Sequence, residues 1–169
     1  GVTPANAKAI VRTNSTTIGA LFVHKGLADG MITGTVGRYQ RHLQRVIDVI
    51  GLKEGVETPA AMTAVMHNNG TLFMMDTHVT KEPSREQLVE TTMLGADLIK
   101  HFGITPKIAM LSHSNFGTYN DPDCLKMRYA AQDIKERDPS LEIDGEMHAD
   151  SALSETIRNN IMPNSSLSG

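Results

Sequence analysis

Short apolar runs closed off by glycine or asparagine alternate along this chain with longer segments whose apolar residues recur at helical spacing. A chain patterned this way is expected to stack helices against strands, because strand and helix segments that alternate along a chain bury their apolar faces on one another. The strand-like runs are Asp29 to Thr33, Ala61 to His67, Thr71 to Val79, Lys107 to Ser112 and Leu141 to Gly145. The first, bounded by glycine, has the composition of a strand buried on both faces. Asn68-Asn69-Gly70 joins the second and third, and an Asn-Gly turn supplies the positive φ angles of a tight hairpin.

The helical segments carry their own start and stop signals. Thr3-Pro4 is an N-cap followed by proline at the first helical position, opening a helix to about Arg12. Asn14, Ser15 or Thr16 caps a second, ending near Lys25 at Gly26. From Arg38 to Ile50, Leu43, Val46, Ile47 and Ile50 fall on one face at i, i+3, i+4, i+7 spacing. Ser84-Arg85-Glu86-Gln87 is a capping box for a long helix that stops at Gly103. Asp121-Pro122 starts another whose buried face is Met127, Ala130, Ala131 and Ile134, and a last helix covers about Ala152 to Asn160. The pattern predicts a layered α/β fold with a mainly parallel sheet and one antiparallel member.

With 169 residues, 40% of them hydrophobic, the chain can bury a core without disulfides or metal. Its formal charge of -3, without blocks of one sign, offers no footprint for nucleic acid or anionic lipid. Cys124 is the one cysteine, which excludes a disulfide framework and fits a reducing cytoplasm. No stretch reaches the roughly 20 apolar residues of a membrane span, and a soluble protein is expected.

Three constellations bear polar groups where chemistry could occur. Gly34-Thr35-Val36-Gly37 precedes a helix carrying Arg38, Arg41 and Arg45, so free N–H groups and guanidinium groups could hold a phosphate; a solvated basic face explains the same residues. The segment Ser112-His113-Ser114-Asn115-Phe116-Gly117-Thr118 follows a predicted strand, where α/β sheets bind ligands, although turn chemistry alone accounts for its Asn and Gly. Ser112 and His113 are adjacent and would point to opposite faces, so they are no nucleophile and base pair, whereas Ser112 and Ser114 could share a face. Glu146, His148 and Asp150 alternate and could grip a divalent metal on a continuing strand. A hydrogen-bonded loop or an N-cap by Asp150 is the simpler reading, and no metal is expected in this chain. Neither a dinucleotide fingerprint nor a phosphate loop ending in Gly-Lys-Ser/Thr is present.

Three stretches together resemble, in order and spacing, the phosphate acetyl/butyryltransferases: Leu27-Ala28-Asp29-Gly30-Met31-Ile32-Thr33-Gly34, Met110-Leu111-Ser112-His113-Ser114-Asn115-Phe116-Gly117, and Ile143-Asp144-Gly145-Glu146-Met147-His148. The Ser-His-Ser-Asn-Phe-Gly loop, Gly34-Thr35-Val36-Gly37 and the ending from Arg158 to Leu167 look like the branch carried at the C-terminal end of bacterial NADP-dependent malic enzymes. The resemblance implies a two-lobed, three-layer α/β/α fold, shared with isocitrate-dehydrogenase-like proteins, with residues 1–37 as the tail of the first lobe and 38–169 as a truncated second lobe. It implies a cleft for acetyl-CoA, a related acyl-CoA or an acyl phosphate, lined by Thr35, Arg38, Arg41, Arg45, Ser112, His113, Ser114, Asn115, Asp144 and Glu146, and a homo-oligomer formed through the second lobe. Gln44 stands where active relatives have an arginine, and their catalytic Ser-Arg pair would fall beyond Gly169. The implied role is regulatory, without acetyl transfer; an active phosphate acetyltransferase fragment and an oligomer-forming module with an empty cleft are the alternatives. NADP and a divalent Mg or Mn would belong to a malate-decarboxylating region outside these residues.

Overall fold

A computed structural model describes residues 2–68 and 70–169, which form two compact units, Gly1–Thr58 and Pro59–Gly169. This division by packing lies at a different point from the lobe boundary expected after Gly37. No helix among the described residues is long and apolar enough to cross a membrane.

The first unit is helical. Helix α1 spans Pro4–Thr13 and is capped by Thr3, whose hydroxyl accepts from the Asn6 N–H; α2 spans Ser15–His24, capped by Asn14. Helix α3, Tyr39–Ile50, starts one residue after Arg38. Its apolar face is only partly covered: Leu43, Val46 and Ile47 are half-buried and Ile50 is exposed. Residues 29–33 form no strand, contrary to expectation, and Ile32 is fully exposed. Composition made this segment look like a strand, but no ladder partner lies beside it among the described residues. It is tied to α2 by the Thr33 hydroxyl, 2.7 Å from that of Thr16, and by Met31, which packs against Gly19.

In the second unit, β1 (Met62–His67) and β2 (Gly70–Met75) form the expected antiparallel hairpin, with Met62 opposite Met75 and His67 opposite Gly70. Asn69 of its turn lies outside the described residues. Strand β2 ends at Met75 rather than Val79 because the Asp76 carboxylate accepts from the N–H groups of His78, Val79 and Thr80, curling the chain away from the ladder. Helix α4, Arg85–His101, has both reciprocal bonds of the Ser84/Gln87 capping box. Gly95 on α4 accommodates Met75, whose sulfur would lie 2.3 Å from any Cβ placed there.

Strands β3 (Lys107–Leu111) and β4 (Glu142–Met147) pair in parallel, and α5 (Pro122–Arg137) crosses between them. Val89 and Ala96 of α4, Ala130, Ala131 and Ile134 of α5, Met110 of β3, and Leu141 and Ile143 at β4 make one buried cluster. Of the face expected on α5, Met127 packs at the cluster's edge and the other three lie in it. The expected final helix is two short ones, α6 (Ala149–Leu153) and α7 (Glu155–Ile161), broken at Ser154, whose hydroxyl caps α7. The α/β class and the coexistence of parallel and antiparallel pairing hold, in layers of helix and small sheet. The expected single mixed sheet is instead two two-stranded sheets among the described residues.

Candidate functional site

The polar centre of the second unit is the loop Ser112–Thr118 between β3 and α5, stitched to the end of β4. Its backbone donates from Ser112 N to Met147 O (2.9 Å) and from Phe116 N to Glu146 O (2.8 Å). The Asn115 amide oxygen accepts from His148 N at 2.8 Å, and its Nδ2 lies 3.0 Å from His148 Nδ1. Phe116 and Gly117 take positive φ angles of 43° and 90°, turning the loop back over Glu146.

Glu146 is fully buried and organises the loop. One carboxylate oxygen accepts from the Ser114 hydroxyl (3.2 Å), the Gly117 N–H (2.7 Å) and Arg128 Nη2 (2.9 Å), and the other from Arg128 Nε (2.8 Å). Arg128 also donates to Tyr119 O and Asn120 Oδ1, so its guanidinium grips both the loop and the carboxylate. Burial pushes the Glu146 pKa upward, but the bonds from Arg128 and Gly117 outweigh it and hold it down to about 2. Glu146 is therefore a fixed anion at neutral pH.

Beside it, the α5 N-cap gathers a second group. Asp121 Oδ1 accepts from the N–H groups of Asp123 and Cys124, while its Oδ2 is 3.1 Å from Cys124 Sγ and 3.0 Å from His113 Nε2. The Ser112 hydroxyl is 3.4 Å from the same sulfur. Donation from the Cys124 thiol and N–H holds the Asp121 carboxyl down to about 2, whereas burial pushes the Cys124 thiol up. The Ser112 and Ser114 hydroxyls both interact with the Cys124 thiol, and Ser114 also donates to Glu146.

Asp144 serves the C-terminal segment: Oδ2 accepts from the Ser165 hydroxyl (2.8 Å) and Ser166 N (2.7 Å), and Lys135 stands 3.5 Å from Oδ1. Burial raises its pKa and these donors lower it more, for a net depression. His148, not Asp150, is the N-cap residue of α6, and the Asp150 carboxylate instead accepts from Ser151 N. Glu146, His148 and Asp150 therefore share no metal-like arrangement; each has a different set of partners.

In the first unit, Thr35 has a φ of 69° and, with Arg38 and Arg41, is exposed at the start of α3; Arg45 pairs with Asp48 at 3.6 Å. His42 ties this turn down, with Nε2 2.9 Å from Val36 O and Nδ1 2.7 Å from the Thr16 hydroxyl. Gln44 donates to Asp48 at 2.8 Å.

A chain in which a Ser-x-Ser-Asn-x-Gly loop after one parallel strand is locked onto an Asp-Gly-Glu stretch of the next can be set beside known proteins. The profile of the phosphate acetyl/butaryl transferases matches residues 1–169. The chain belongs to this family. Among curated relatives it is 48% identical over 169 residues to the NAD-dependent malic enzyme of Rhizobium meliloti and 48% identical to the NADP-dependent malic enzyme of Escherichia coli. In both cases all of the chain is covered but only 22% of the relative. The crystal structure of a phosphotransacetylase from Streptococcus pyogenes superposes with a TM-score of 0.83 at 28% identity, covering 99% of this chain and 51% of that one.

Sequence reasoning missed Arg128, Asp121 and Cys124 as site members. Two signals were present: a carboxylate at a predicted strand end needs a cation if buried, and a residue three after an Asp-Pro N-cap points back at that cap. Also missed was Arg158, fully buried, which donates to four backbone carbonyls: Ser151 (2.9 Å), Ala152 (3.3 Å), Leu167 (3.3 Å) and Gly169 (2.8 Å).

Proposed function

We propose that this family member is the regulatory and oligomer-forming part of a malic enzyme, recognising acetyl-CoA or a related acyl-CoA or acyl phosphate without transferring the acyl group itself. The observation that carries the reading is that the charged pair packed against the loop, Glu146 and Arg128, is committed to itself and to the loop backbone. Acyl transfer to CoA requires a base near its working pH for the thiol and cationic help for the phosphate. Glu146, at about 2, is too weak a base and is enclosed by Arg128; Arg128 has its nitrogens on Glu146, Tyr119 and Asn120. The family resemblance implies an arginine where Gln44 stands, with Arg41 and Arg45 flanking it. Identity of 48% along the whole chain to malic enzymes favours this reading over that of an active phosphate acetyltransferase.

In this reading Ser114, Asp144 and Glu146 hold the backbone of the loop and its neighbour in place. In the second unit Ser112, His113 and Asn115 offer the ligand polar contacts; in the first unit Thr35, Arg38, Arg41 and Arg45 at the α3 N-terminus form a candidate anion site of their own. The rest of the parent protein, in a reducing cytoplasm, would convert malate to pyruvate and CO2 with a nicotinamide cofactor, NADP in the expected case, and Mg or Mn. Ligand binding would act on that reaction through a coupling free energy, which requires different affinities for two states of the oligomer. Calorimetric titration of the full-length protein with acetyl-CoA should give saturable heat and a raised Tm. Malate oxidation should respond over the same concentration range, with no turnover of acetyl phosphate plus CoA. Absence of heat and of stabilisation would leave a structural oligomer-forming module; measurable acetyl transfer would make it an acetyltransferase.

A further inference from the structure

We propose that His113, Asp121 and Cys124 bind one borderline-soft divalent cation, of the Zn2+ or Co2+ kind, at the N-terminus of α5. Each offers one atom of a different ligand type, and the three atoms form a closed triangle: Nε2 to Oδ2 3.0 Å, Oδ2 to Sγ 3.1 Å, and Sγ to Nε2 3.4 Å. They are the one His/Cys/Asp/Glu group of this kind among the described residues. A tetrahedral zinc ion about 2.0–2.3 Å from nitrogen, oxygen and sulfur separates such ligands by roughly 3.3–3.6 Å. The triangle needs to open by only a few tenths of an ångström to admit the ion.

The arrangement is wrong for a nucleophile relay. A histidine that activates a thiol presents one nitrogen to sulfur and the other to the orienting carboxylate. Here both Sγ and the Asp121 carboxylate sit at Nε2, and Nδ1 is 4.0 Å from Sγ. Convergence of several donors on one point is what a cation requires. Asp121 is also pre-oriented: its other oxygen accepts from the Asp123 and Cys124 N–H groups, leaving Oδ2 directed at the triangle.

Burial grades across the site, with Cys124 fully buried, Asp121 half-buried and the His113 side chain 63% exposed. The fourth position therefore opens toward solvent and takes water, while the Ser112 hydroxyl sits on the inner side, 3.4 Å from sulfur. One thiolate, one imidazole and one carboxylate select zinc or cobalt over oxygen-preferring magnesium and calcium. The site shares His113 with the proposed acyl-ligand contacts but is read out separately, and its donor set differs from one suited to magnesium or manganese.

The test is a Co2+ titration of the chelator-treated, full-length protein, followed in the near ultraviolet for the thiolate-to-cobalt band and in the visible for four-coordinate absorption. The expected result is one equivalent giving the thiolate band, apart from any Co2+ taken by the malate region, with that band lost in Cys124→Ser and the affinity it reports weakened at least about tenfold in His113→Ala. No band at tens of micromolar Co2+, or a band indifferent to Cys124→Ser, overturns the proposal. Should Cys124→Ser fail to fold, His113→Ala decides, since its side chain is mostly exposed and its fold can be verified by circular dichroism: unchanged affinity there overturns the site.

Discussion

Removing the Arg128 guanidinium is the sharpest probe of how the loop is held. Arg128→Met keeps the aliphatic stem but deletes two bonds to Glu146 and those to Tyr119 O and Asn120 Oδ1, leaving a fully buried carboxylate with only Ser114 and Gly117 as donors. Breaking a buried ion pair from one side costs about 3–5 kcal/mol, because the stranded charge keeps its desolvation penalty. For a chain of this size that is a fall in Tm of roughly 6–20 °C. Urea denaturation of wild type, Arg128→Met, Glu146→Gln and the double variant closes a mutant cycle. The double variant should be more stable than Arg128→Met alone, since the uncompensated charge is gone. The pH dependence follows with its sign: the folded pKa of Glu146, about 2, lies below its ordinary value of 4.5. Its contribution is therefore complete above 4.5 and is lost as pH falls toward 2; Glu146→Gln should flatten the stability curve in that window. A loss below about 1 kcal/mol for Arg128→Met would refute the argument, because such a value belongs to a solvent-screened pair.

Three further outcomes follow from particular contacts. Ser84→Ala removes both the hydroxyl that caps α4 and its bond to Glu86, and should cost about 1 kcal/mol in urea denaturation, recovered in part by Ser84→Asp. Gly145→Ala would place a Cβ 2.6 Å from Met110 O at a φ of +135°, so the β3–β4 ladder must separate; loss of more than about 2 kcal/mol and of hydrogen-exchange protection in Lys107–Leu111 is expected. Gln44→Arg adds a cation beside Arg41 and Arg45 and should tighten acetyl phosphate binding in calorimetry while leaving acetyl phosphate plus CoA turnover undetectable.

The places where the chain could be read directly share a physical cause. The Ser84/Gln87 box, the Thr3, Asn14 and Asp121 caps, and the hairpin each act over four residues or fewer, so their determinants lie side by side in the sequence. Reading failed where a partner was needed. Residues 29–33 have the composition of a strand but no strand among the described residues to pair with, and β2 stopped early because Asp76 captured three N–H groups. At the candidate site, the loop and the Asp144/Glu146 stretch stood out by residue type. Their cation and thiol did not, since Arg128 and Cys124 sit on a helix where arginine and cysteine are unremarkable without knowledge of what faces them.

The sequence by itself determined much of the local grammar of this protein: the caps that start its longer helices, the hairpin turn and, through three spaced signatures, which family it joins. Tertiary structure alone decided which strands became neighbours and which charges met. The reason is that hydrogen-bond caps and side-chain periods are short-range, whereas the ion pair between Arg128 and Glu146 and the triangle of His113, Asp121 and Cys124 exist only once α5 has crossed from β3 to β4 and brought these residues together.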